Sequence, residues 1–165
     1  MVRPADVVTQ VTLFTKIGGP LTKRISLAPN GTLVSDGSAC LMGQGWAERV
    51  WVQDIDELKD LLARTTSEQA LALGALRDDL PTKARIVTER SLNGQVQPGI
   101  IARTQANIVY DKGPAFALLD HDRKGMPASV AGRLKQLGGF WPAILTVMPE
   151  LAHVARVLGP RPAPG

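Results

Sequence analysis

The sequence is poor in the residues from which small proteins build staples and metal sites. It holds one cysteine, Cys40, in 165 residues. That excludes a disulfide framework and any multi-cysteine zinc site. Two histidines, His121 and His153, leave little for histidine-rich metal chemistry. Aromatic residues make up 4%, and Tyr110 is the single tyrosine. No apolar run approaches the roughly 20 residues that a membrane helix requires. Residues 1–6 show no basic patch leading into an apolar stretch, so no secretory signal is read there. A reducing cytoplasm is the expected location.

What is present is an ordinary globular composition with an uneven charge. Hydrophobic residues make up 44% and charged residues 21%, which argues against global disorder. The net charge is +4. Residues 1–122 carry 13 Lys/Arg against 14 Asp/Glu, a near balance. Residues 123–165 carry Arg123, Lys124, Arg133, Lys135, Arg156 and Arg161 against Glu150 alone. The positive field belongs to the last quarter, which points to an anionic partner such as nucleic acid or nucleotide phosphate. A merely solvated basic surface is the bland alternative.

The pattern along the chain predicts an α+β domain over residues 1–158. Its N-terminal half reads as β-rich, with two helices. A strand is expected over residues 11–17, bounded by Gly18-Gly19-Pro20. Residues 24–28 and 32–35 flank Pro29-Asn30-Gly31, a hairpin signal, because Asn and Gly tolerate positive φ. A further strand pair is expected over 39–42 and 49–53. Asp54 with Glu57 three residues on reads as a capping box, followed by Ile55, Leu58, Leu61 and Leu62 on one helical face. Ser67 is expected to cap a second helix carrying Ala70, Leu71, Leu73 and Leu76. Strands are expected again over 84–89, 99–103 and 107–110. The C-terminal segment reads as helical, with a stripe of Val130, Leu134 and Leu137 and a second helix after Pro142. Residues 159–165, rich in Pro and Gly, read as a disordered tail.

One constellation carries chemistry. The apolar run 115–119 has the length of a buried central strand and leads into Asp120-His121-Asp122-Arg123-Lys124. In an extended strand, alternate side chains share a face, so Asp120 and Asp122 would project together, with Cα atoms about 6.6–7 Å apart. Two such carboxylates suit Mg²⁺ or Mn²⁺, which prefer hard oxygen ligands. A pair of these ions about 3.5–4 Å apart can assist phosphoryl transfer. Arg123 and Lys124 could then hold phosphate oxygens. The plain alternative is a solvated loop whose acids pair with Arg123 and Lys124, worth about 0–1 kcal/mol. Trp46 and Trp51 could stack bases or simply pack. Lys83, Arg85 and Arg90 could form a basic strip or a solvated strand face.

Together with residues 33–45, residues 100–110 and Leu137-Gly138-Gly139-Phe140-Trp141-Pro142, this motif resembles the archaeo-eukaryotic-type primase and primase-polymerase superfamily. The likeness is to versions carried by bacterial mobile elements and phages, and it spans roughly residues 5–157. It implies that Asp120 and Asp122 are catalytic, metal-binding carboxylates for template-directed nucleotide addition in DNA replication. It also implies DNA and nucleotides as partners, with a helicase or another replication protein beside them. The family's later serine-x-histidine strand and third carboxylate have no counterpart in these 165 residues. A domain truncated or frameshifted after Val157, weakly active or inactive by itself, is therefore expected. The alternative is a non-enzymatic nucleic-acid-binding module that uses the basic quarter, with Arg133, Lys135 and Arg156 on the phosphates.

Overall fold

The computed structural model describes residues 8–102, 104–110, 115–119, 125–154 and 156. The chain divides into two compact units, Met1–Phe116 and Ala117–Gly165. Among the described residues the fold is mixed α+β, with a five-stranded sheet and four helices.

The first unit opens with β1 (Thr9–Lys16), followed by a hairpin of β2 (Arg24–Leu27) and β3 (Leu33–Asp36). The hairpin turn is closed by Gly31 N–H donating to the Ala28 carbonyl, with Gly31 at φ 78°. The chain returns as β4 (Gly45–Val52), which pairs antiparallel with β1 along its whole length. Helix α1 (Ile55–Arg64) follows at once.

The capping box forms as its residues dictate. The Asp54 carboxylate accepts from the Glu57 N–H at 2.8 Å, and the Glu57 carboxylate accepts from the Gln53 N–H at 2.7 Å. Asp54→Ala is expected to cost about 1 kcal/mol, read as a lower urea midpoint at unchanged slope.

Next come β5 (Gln69–Ala72), β6 (Ala75–Leu76), β7 (Lys83–Val87), α2 (Glu89–Leu92), β8 (Ile100–Ala102) and β9 (Ile108–Val109). The main sheet has the order β5-β1-β4-β7-β8. Only β7 and β8 run parallel, and α2 lies on their crossover.

The register sorts side chains into two faces. On one face Val11 and Val52 pack with Leu58 of α1 and with Phe116. On the other, Ala47, Ala84, Ile86 and Ile101 pack with Met42 and Leu76. This second face is sealed by the chain from Gly74 to Leu80. Thr12 Oγ1 donates to the Gly74 carbonyl at 2.8 Å. Arg49 Nη2 donates to the carbonyls of Leu76 at 3.2 Å, Arg77 at 2.8 Å and Leu80 at 3.4 Å. Thr12 and Arg49 are directly opposite in the β1–β4 register, so they form one polar clasp.

Three expectations are corrected. Residues 69–76 form β5 and β6, not a helix capped by Ser67. Ala70, Leu71, Leu73 and Leu76 satisfy a helical spacing, but the free edge of β1 offers backbone pairing, and Ala72 aligns with Thr12. Residues 39–42 form no strand; the partner of β4 is β1. The apolar run 115–119 is not a strand either. Phe116 packs into the α1 side, while Leu118 is 80% and Leu119 55% exposed.

In the second unit, α3 (Ala128–Gln136) and α4 (Phe140–Val147) are followed by a 3-10 turn at Pro149–His153. Gly138 and Gly139 separate the helices with φ of 83° and 117°, a conformation that favours glycine. Every fully buried side chain among the described residues lies in the first unit. No described helix is long and apolar enough to cross a membrane.

Candidate functional site

Asp120, His121, Asp122, Arg123 and Lys124 lie outside the described residues. Their approach, residues 115–119, has no strand pairing, so the alternation argument has no sheet beneath it up to Leu119. Among the described residues no three His, Cys, Asp or Glu side chains gather where a metal ion could be held.

The three described cations of the basic quarter are located. Arg133 and Lys135 stand in the last turn of α3, where positive charge complements the helix dipole. Both are exposed, and Arg133 Nη1 reaches Gln136 Oε1 at 3.4 Å. The Arg156 guanidinium lies over the Trp141 ring, 4.4 Å from its centroid. That arrangement is a cation–π contact and leaves the exposed guanidinium edge open to an anion. His153 sits in the 3-10 turn, exposed.

A second cluster lies in the first unit, on the sheet face that carries α1. The register aligns Gln69, Thr15, Trp46, Arg85 and Ile100 in one row across all five strands. The next row holds Leu71, Leu13, Glu48 and Lys83. Lys83 Nζ lies 3.0 Å from Glu48 Oε2 and 5.8 Å from the centroid of the Trp46 ring. Trp46 is 37% exposed, and Arg85 is exposed with no carboxylate partner among the described residues. The sequence marks Trp46 apart from Lys83 and Arg85 and gives no sign of Thr15, Glu48 or Gln69; only the cross-strand register brings them together.

The opposite side of the unit holds a cleft of about 640 Å³, lined in part by Phe14, Leu21, Met42 and Ile108, with the hydroxyl-bearing residues Thr104 and Tyr110. Among the described residues its lining is apolar apart from the Thr104 and Tyr110 hydroxyls. Among the described residues, the carboxylates with perturbed protonation lie elsewhere. Asp36 is held below its usual range by the Ser38 N–H, Glu68 by the Thr66 hydroxyl, and Asp79 by the Arg77 guanidinium. Each is lowered chiefly by a neighbour within two residues along the chain, and no second acid contributes as it would in a catalytic dyad.

Compared with protein-family models, curated proteins and solved structures, the chain finds no match.

Proposed function

We propose that the chain is a primase-polymerase-like, metal-dependent nucleotidyltransferase domain that acts on DNA in the cytoplasm. The observation that carries this reading is the run Asp120-His121-Asp122-Arg123-Lys124, two carboxylates two residues apart with two cations directly after them. Asp120 and Asp122 would hold Mg²⁺ or Mn²⁺, which supplies charge neutralisation at the phosphoryl group when bound. Arg123 and Lys124 would orient phosphate oxygens, Arg123 by a two-point contact and Lys124 as a point charge. The excess of cations in residues 123–165 supports an anionic partner.

Asp120→Ala combined with Asp122→Ala is expected to abolish the heat of Mn²⁺ binding in calorimetry. Heat equal to that of the parent chain removes the metal assignment.

A second reading has its own support in the exposed cations Arg133, Lys135 and Arg156. In a binding module without chemistry, these three would carry the phosphate contacts. Affinity for single strands would then fall with salt at a logarithmic slope of about −2, since each contact contributes about −0.7. It would also be indifferent to Asp120. Filter binding at two salt concentrations, with and without the double aspartate change, separates the two readings.

A further inference from the structure

The register of β4 places its side chains against the usual pattern. Where a strand is covered on one face only, its large apolar residues are expected to turn inward and polar ones outward, and at its Gly45 end β4 contributes a buried residue to one cluster alone. In β4 the inward side chains at one end are Gly45 and Ala47, both buried, and Trp46 between them faces out. The indole is therefore not spent on the core. Helix α1 covers the other end of this face, where Leu58 meets Val11 and Val52. Around Trp46 the face remains open, with Arg85 and Lys83 exposed on β7.

The geometry points to this open half-face as a stacking platform for single-stranded nucleic acid, with a base on Trp46 and neighbouring phosphates on Arg85 and Lys83. Three features support that occupant over an apolar protein segment. Two cations and one acid, Glu48, give the patch a positive balance. Arg85 and Lys83 stand two residues apart along β7, so their Cα atoms are about 6.6–7 Å from each other on one side of the indole. A strand running along β7 can touch both with its backbone while turning a base over the ring. Glu48 orders Lys83, and the ammonium lies near the outer limit of cation–π range, which leaves ring area for a base. Thr15 and Gln69 continue the row with hydroxyl and amide groups; Gln69 Nε2 donates to Thr15 Oγ1 at 3.4 Å. Base–aromatic stacking tolerates any sequence, because every base has a π-face. The platform lies in the Met1–Phe116 unit and does not rest on the metal assignment.

The test uses the full chain, a fluorescently labelled oligothymidylate and a chelator, so that loss of metal binding cannot affect the result. Trp46→Ala is expected to weaken binding about 10-fold, the equivalent of about 1.4 kcal/mol for one stacked base. Trp46→Phe should retain most of the affinity. Arg85→Glu, which leaves the core untouched, should weaken binding and flatten its salt dependence. In a chain carrying Trp51→Phe and Trp141→Phe, the remaining Trp46 fluorescence should be quenched by the oligonucleotide and not by polyphosphate. Equal quenching by polyphosphate, or parent-like binding by both Trp46→Ala and Arg85→Glu, overturns the platform. If Trp46→Ala fails to fold, Arg85→Glu and the quenching measurement decide it alone.

Discussion

Gly45→Ala is expected to destabilise the protein by about 3 kcal/mol, at the upper end of what overpacking costs. A Cβ at this position would lie 2.3 Å from the Thr15 carbonyl oxygen and 2.7 Å from Met42 Cε. The methionine can swing aside, but the carbonyl belongs to the backbone of β1. Gly45 pairs with Lys16 on β1 and with Ile86 on β7, so relief would part β4 from both neighbours. Gly43 provides the control, because a Cβ there meets nothing within 4 Å. Gly43→Ala should stay within about 0.5 kcal/mol of the parent. Urea unfolding of the two variants checks the pair, and similar midpoints would show that β1 does not approach β4 as described.

Ile86→Ala is expected to cost about 3–4 kcal/mol, within the range for truncating a buried aliphatic side chain. Ile86 is 0% exposed and packs with Met42, Leu76 and Ile101. Its other neighbours in the cluster include Ala47 and Ala84, which are too small to fill the space left behind. Collapse of the cavity would be poor, and poor collapse places a site high in its range. Ile25 has the same side chain on β2 but is 68% exposed. Ile25→Ala should change stability by no more than about 0.5 kcal/mol. Equal losses at both positions would contradict the core assigned here.

Where local chemistry is strong, the sequence spoke clearly. Pro29-Asn30-Gly31 specified the β2–β3 turn, because Gly31 adopts the positive φ that the turn demands. Asp54 and Glu57 specified the start of α1, because each side chain finds a backbone N–H within four residues. Where the pattern was degenerate, reading failed. Ala70, Leu71, Leu73 and Leu76 satisfy a helical spacing, and the pairing partners that override it lie far along the chain, on β1 for Ala70 and Leu71 and on β9 for Leu76. The run 115–119 was apolar enough for a central strand, yet only Phe116 found a place in the packing. The clasp at Arg49 left no signal at all, since its acceptors are backbone carbonyls far along the chain.

Composition, caps, turns and the crowding of cations into the last quarter are properties of neighbouring residues, and the sequence determined them unaided. The order of the sheet, the clasp at Arg49 and the meeting of Trp46 with Lys83 and Arg85 depend on which distant strands pair and in what register. A one-residue shift in that register would turn every side chain to the opposite face. Only the packed chain resolves that choice, because the free energy separating the registers comes from burying both faces at once.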